Sequence, residues 1–191
     1  MRNVSVTRGI AAAAAMLLAT LPSQASAGFF DFFSSPPTQA TSGRELVVFT
    51  PKVDPGTIVV SFADRHLYYV LPNSRAIRYP IGAPMGEARW SGVTTVTEKR
   101  INPAWTPTPD MRRENPTLPA YVPGGHPLNP LGVRAMYLGN TTYRIHGTDA
   151  PWTVGQEVSH GCIRMFNEDV IDLYERVRVG TRVIVTWQSY S

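Results

Sequence analysis

Short runs of β-branched and aromatic residues, broken by turn formers, dominate the chain from Pro55 onward. Thr57–Ala63, His66–Leu71 and Arg75–Ile81 follow one another closely, separated by Asp64-Arg65 and Pro72-Asn73-Ser74. Strand, two- or three-residue turn, strand is the pattern of a hairpin meander. Gly92–Glu98, Arg134–Leu138, Thr142–Ile145 and Arg182–Trp187 read as further strands. Many strands at close spacing with few helical patterns predict a mainly β fold, a sandwich or closed barrel.

Two segments depart from this pattern. Residues 101–132 hold eight of the 17 prolines, with Trp105, Met111 and Tyr121 among them. Proline cannot donate to a ladder, so little of this stretch is central strand. A long loop inside a compact domain points to a lid or binding loop, and its large apolar residues argue against simple disorder. The second departure is Asn167–Val179, where Val170, Leu173, Tyr174 and Val177 fall on one face of a helix. Asn167 is the expected N-cap, Glu168 and Asp169 suit the positive end of the helix dipole, and Gly180 suits the position beyond the last turn.

The N-terminus has a different character. Arg2 and Arg8 precede an uncharged apolar run, Ile10–Leu21, and Ala25-Ser26-Ala27 follows it. This is the layout of a secretory signal peptide over residues 1–27. The run is too short to span a bilayer, which takes about 20 apolar residues. Residues 28–54 open with Phe29, Phe30, Phe32 and Phe33 and continue through Ser, Pro, Thr and Gly, so they read as a flexible leader or linker. Residues 55–188 then form one domain, with no later apolar stretch of spanning length.

Composition narrows the function. The formal charge of +4 falls to about +2 once Arg2 and Arg8 leave with the signal, which is no nucleic-acid footprint. There is one cysteine, Cys162. An exported chain with a single cysteine cannot close an internal disulfide, so the residue is a buried small hydrophobe, half of an intermolecular bridge or a reactive thiol. Its neighbours favour the last. His160 lies two residues before it and His146 sixteen before it. A nearby imidazole lowers the thiol pKa and takes its proton. Gly161 lets a substrate approach the backbone, turn N–H groups there can face an oxyanion, and Arg164 offers a fixed charge for a carboxylate. Zinc binding by Cys162, His146, His160 and Asp149 is the metal alternative, but no Cys-x-x-Cys or His-x-x-x-His spacing supports it. His66 and His126 read as structural.

The run His146-Gly147-Thr148-Asp149-Ala150-Pro151-Trp152, followed by Ser159-His160-Gly161-Cys162-Ile163-Arg164-Met165 and Asn167-Glu168-Asp169-Val170, resembles the catalytic core of the L,D-transpeptidases. These are exported bacterial enzymes that cross-link peptidoglycan. The resemblance extends over about residues 55–188, including Gly56–Val60, Trp90-Ser91-Gly92 and the Pro-rich stretch. It implies that Cys162 is the acylated nucleophile and His146 its general base, oriented by the backbone carbonyl of Gly147. The N–H groups of Gly161 and Cys162 become oxyanion donors. Arg164 orders the site and faces the substrate, Ser159 and His160 shape the cysteine loop, and Trp152 and the Pro-rich loop wall the groove.

The same resemblance implies a donor that is a tetrapeptide stem of peptidoglycan. The acyl acceptor is the diamino acid of another stem or an outer-membrane protein or lipoprotein. Water as acceptor makes the enzyme an L,D-carboxypeptidase. Sensitivity to carbapenems, a periplasmic location and no requirement for a metal or cofactor belong to the same expectation. A papain-like peptidase is the rival enzyme, but it places its histidine after the cysteine. A non-catalytic peptidoglycan-binding module of the same fold is the rival from another class, and the intact Cys162, His146 and Arg164 argue against it.

Overall fold

The structure, a computed structural model, describes residues 42–191. The expected signal peptide and residues 28–41 of the expected leader lie outside them. Eleven strands run in chain order: β1 (Glu45–Val48), β2 (Ile58–Ser61), β3 (His66–Leu71), β4 (Arg75–Pro80), β5 (Ala83–Pro84), β6 (Gly92–Ile101), β7 (Arg134–Leu138), β8 (Arg144–His146), β9 (Glu157–Ser159), β10 (Ile163–Arg164) and β11 (Arg182–Thr186). Two α-helices accompany them, α1 (Pro109–Glu114) and α2 (Asn167–Arg176).

Nine strands form one sheet in the order β1-β4-β3-β2-β11-β6-β7-β8-β10, and β5 pairs β9 separately. The sheet keeps β1 and β10 as edges, so the fold is mainly β but not a closed barrel. Strand β6 joins its halves. Thr94 and Thr95 pair β11, while Val96–Ile101 pair β7 across a register shift between Val96 and Glu98. A bulge of this kind bends a strand and raises its twist, which lets one strand serve two layers.

The fold encloses two cores. Ile58, Val60, Leu67 and Tyr79 from one half of the sheet meet Met136, Leu138, Ile145 and Ile163 from the other. Val170, Leu173 and Val177 of the α2 segment close this cluster, on the face the sequence predicts. On the other side of the first half-sheet, Val59, Tyr68, Val70 and Ala76 pack with Phe49. Strand β2 therefore buries both faces, which explains a run of β-branched residues without polar alternation.

The chain differs from the sequence reading in two places. Within the expected leader, residues 45–48 form β1, antiparallel to β4, and Phe49 is buried against Tyr68 with ring centroids 5.1 Å apart. Just before it, Ser42 and the Gly43 N–H bond the buried Asp169 of α2. The leader composition hid this strand because its outer side chains, Leu46 and Val48, stay exposed.

The Pro-rich stretch is an ordered loop, as its large apolar residues imply. Trp105 and Val122 exchange both backbone hydrogen bonds, at 2.9 and 2.8 Å, and so close its base. Between them α1 starts on Pro109 behind the side-chain cap of Thr108. Below it Asn129 is buried and donates to the carbonyls of Pro103 (2.8 Å) and Pro123 (3.0 Å). Prolines that cannot donate are thus used as acceptors.

At α2 the cap position falls on Phe166, which makes no side-chain cap bond, and the helix stops at Arg176. Asn167 is already inside the helix, and its amide is engaged elsewhere. Gly180 lies beyond the helix, where its N–H bonds the Val96 carbonyl at 2.8 Å. Lys99 closes the helix instead, its Nζ donating to the carbonyls of Tyr174 (2.6 Å) and Val177 (2.5 Å). A cation at this end complements the helix dipole.

Candidate active site

The parallel pairing of β8 with β10 assembles the site. Its register sets Ile163 beside Ile145 and Arg164 beside His146. Successive strand residues face opposite sides, and partners in a ladder share a side. Ile145 and Ile163 are buried in the main core. Arg144, His146 and Arg164 therefore turn to the other side, and Cys162, one residue before β10, joins them. Sixteen residues of sequence separation collapse into neighbouring positions on two strands. The Met165 N–H extends the pairing to the His146 carbonyl at 2.8 Å.

His146 is buried, and its Nδ1 lies 2.5 Å from the Gly147 carbonyl oxygen. A carbonyl only accepts, so Nδ1 carries the proton and Nε2 presents its lone pair. Burial pushes the imidazole pKa down to about 3, and the charges of Arg164 and Arg144 push the same way against the Gly147 hydrogen bond. The ring is therefore neutral at physiological pH. The loop that supplies this carbonyl is held from α2. Asn167 Nδ2 donates to the Thr148 carbonyl (2.9 Å), and Asn167 Oδ1 accepts from the N–H of Thr148 (3.1 Å).

Cys162 is half-buried, and its Sγ faces the Thr142 carbonyl at 3.8 Å. Burial raises the thiol pKa, while Arg144 and Arg164 oppose that rise. The loop around it is fixed on several sides. Ser159 is buried and donates to the Cys162 carbonyl at 2.5 Å. The Trp90 indole donates to the Gly161 carbonyl at 3.2 Å and stacks on Tyr143, with centroids 4.9 Å apart. Gly161 has φ +120°, and a Cβ there would overlap the Tyr143 ring. That position admits glycine alone without strain. Among the described residues, no turn, loop or side-chain hydrogen bond uses the N–H of Gly161 or Cys162.

Arg164 is bracketed by two backbone hydrogen bonds with Gly82, at 2.9 and 3.0 Å. Its Nη1 lies 3.4 Å from Thr153 Oγ1, and Asp149 acts on it by charge. Trp152 occupies a 3-10 turn, Pro151–Thr153, and is 71% exposed. His160 is exposed too, and its side-chain partner among the described residues is Glu114 at the end of α1, at 3.0 Å. The cysteine loop thereby touches the Pro-rich loop. The zinc alternative is not assembled: among the described residues no three His, Cys, Asp or Glu side chains stand together as a metal site.

The sequence reading gave four residues no role in this site: Arg144, Tyr143, Trp90 and Asn167. Arg144 carried the one available signal, since it sits an even number of residues before His146 on the same predicted strand. The assembled groups are a shielded thiol, a neutral imidazole with a free Nε2 and two guanidinium groups. Both guanidinium charges favour a thiolate and disfavour an imidazolium. Such a site suits nucleophilic attack on a carbonyl with proton transfer through the imidazole.

A family model described as the L,D-transpeptidase catalytic domain (YkuD) matches residues 55–185. The probable L,D-transpeptidase ErfK/SrfK of Escherichia coli (strain K12) is 44% identical over 153 residues, covering 74% of this chain and 49% of that protein. The probable L,D-transpeptidase YbiS of the same strain is 40% identical over 147 residues, covering 73% of this chain and 47% of that protein. The chain thus spans about half the length of these curated relatives. The NMR structure of the catalytic domain of the E. faecium L,D-transpeptidase acylated by ertapenem superposes with a TM-score of 0.53 at 21% identity, over 71% of this chain and 100% of that domain. It shares the fold.

Proposed function

The chain belongs to the YkuD family of L,D-transpeptidase catalytic domains, and from that premise we propose that it is a cysteine acyltransferase acting on peptidoglycan stem tetrapeptides. The observation that carries the reading is the β8–β10 register, which sets Cys162 and His146 on one face with Nε2 of the imidazole unprotonated.

The reaction runs in two halves. As His146 Nε2 takes the thiol proton, Cys162 Sγ attacks the carbonyl of the third stem residue. The C–N bond to the terminal D-Ala breaks, and the proton passes to the leaving amine. An amine acceptor then attacks the thioester, forms an amide and returns the proton to sulfur. No external energy source is needed, because the thioester conserves that of the bond cleaved. The N–H groups of Gly161 and Cys162 hold the oxyanion of each tetrahedral intermediate. Gly147 fixes the tautomer of the base, Ser159 fixes the cysteine loop, and Arg164 faces the stem's carboxylates. His160 and Trp152 border the groove beside the Pro-rich loop.

The acceptor is the diamino acid of a second stem or an envelope protein, and water gives the carboxypeptidase product. The chain is proposed to be exported to the periplasm by residues 1–27. No helix among the described residues is long and apolar enough to cross a membrane. Carbapenems acylate the same thiol, a reading supported by the ertapenem-acylated structural neighbour.

The test is intact-mass spectrometry of the protein incubated with a carbapenem and, separately, with a disaccharide-tetrapeptide. A covalent adduct on Cys162 and release of D-Ala are expected, both lost in Cys162→Ala. Folded protein with a titratable thiol that forms neither adduct refutes the proposal.

A further inference from the structure

We propose that Arg144 is the side chain that holds the Cys162 thiolate, a role carried by its place beside the cysteine in the β8–β10 pairing. Within the acyltransferase reading, on which this rests, it is a third member of the nucleophile's machinery besides His146 and Arg164.

The placement comes from register. Arg164 pairs His146 and Ile163 pairs Ile145, so one step back sets Cys162 beside Arg144. The guanidinium is also held from the opposite strand. Tyr137 of β7 pairs Arg144, and the Arg144 Cζ lies 4.9 Å from the Tyr137 ring centroid. An aromatic face attracts a cation without neutralising it, so the charge stays available to a second partner. The Arg144 Nε is buried and has no hydrogen-bond partner among the described residues. No carboxylate pairs with Arg144 there, in contrast to Arg78, Arg89, Arg100, Arg113 and Arg176. A buried, unpaired donor on a charged group is costly unless an anion visits it. The anion that the register sets beside it is the deprotonated sulfur, which the Arg144 charge favours.

The other charged groups around the thiol differ from it in their partners. Arg164 on β10 also has a buried, unpartnered Nε and also favours the thiolate by its charge, but Asp149 and Thr153 share it. His146 on β8 is neutral. His160 of the cysteine loop is engaged by Glu114 of α1. Arg144 is the cation that the register sets directly beside Cys162, with no carboxylate of its own among the described residues. It also explains how a shielded thiol serves as a nucleophile beside an imidazole too weakly basic to remain protonated. The negative charge is held by guanidinium, and His146 only relays the proton.

The thiolate can be read without any substrate, by the rate of iodoacetamide alkylation of Cys162 against pH. Arg144→Met keeps the unbranched stem against Tyr137 and removes the charge; Arg144→Lys keeps a charge. In Arg144→Met the alkylation profile is expected to move to higher pH by at least one unit, a roughly ten-fold slower rate at pH 7. In Arg144→Lys most of that rate returns. If Arg144→Met does not fold, Arg144→Gln takes its place. An unshifted profile in the neutral variant overturns the proposal, and so does an equal shift in the neutral and lysine variants. Carbapenem acylation of the wild type is scored in parallel. A shifted alkylation profile with no acylation would retain the role of Arg144 and refute the acyltransferase reading; acylation with an unshifted profile would do the reverse.

Discussion

Acidification exposes the cost of burying His146. Its imidazole has a folded-state pKa of about 3, set chiefly by burial and then by Arg164 and Arg144, against about 6.5 in an unfolded chain. The folded value is the lower one. Between these values the unfolded chain binds a proton that the folded chain refuses, so stability falls as pH drops through 6.5 and the loss saturates below 3. From pH 7 to pH 4 the gap amounts to about 2.5 pH units, or roughly 3 kcal/mol from this one group. Other groups also change their titration on folding, among them Asp169, whose pKa burial raises. The measurement must therefore be a difference. Urea unfolding of the wild type and of His146→Gln, each at pH 7 and pH 4, isolates the imidazole. The wild type is expected to lose about 3 kcal/mol more than the variant. Equal losses would show that the ring is protonated in the folded state without penalty, and the argument for a neutral Nε2 base would fall with it. The same neutrality bears on kinetics. The pH–rate profile of acylation should rise with thiol ionisation, and an acidic limb near 6.5 that vanishes in His146→Gln would refute this account.

Two further substitutions probe the supports of the site. Gly161→Ala sets a Cβ onto the Tyr143 ring at a backbone φ of +120°. It should cost about 1–3 kcal/mol in thermal unfolding and reduce Cys162 adduct formation by more than ten-fold; an unchanged adduct yield would show the loop to be pliant. Asn167→Ala leaves the N–H and carbonyl of the buried Thr148 without their amide partner. It should destabilise by about 2–4 kcal/mol and slow acylation by displacing the Gly147 carbonyl. A melting temperature within one degree or so of the wild type would remove Asn167 from the account.

Much of the fold was legible because burial writes itself into residue type. Strands β2, β3, β4, β6, β7, β8 and β11 stand within a few residues of their expected ranges, since each carries β-branched or aromatic residues into a core. The elements that escaped are those whose pairing is not recorded in their own residues. Strands β9 and β10 are three and two residues long, too short for any alternation, and they exist because β5 and β8 lie alongside. Strand β1 hid in a segment of linker-like composition. Asn167 was read as a cap because an asparagine before acidic residues satisfies helix N–H groups in most contexts. Here the nearby Thr148 backbone offers a closer match to both ends of its amide, a tertiary contact that local spacing does not encode. Cys162, His146 and Arg164 were visible as a motif. Arg144 was not, because its position beside the thiol follows from a parallel register that only the folded sheet defines.

The seam of the sheet has a consequence for the order in which the protein can mature. Strand β11 lies between β2 and β6, parallel to one and antiparallel to the other, yet it leaves the ribosome after every other described strand. Until Val183 and Val185 arrive, the nine-stranded sheet has no continuous ladder from β2 to β6. A chain crossing a membrane from its N-terminal end would carry Cys162 across before the domain could close around it. Closure would then follow translocation of β11, so the fold itself delays the enclosure of Cys162 until nearly all of the described chain is in one compartment.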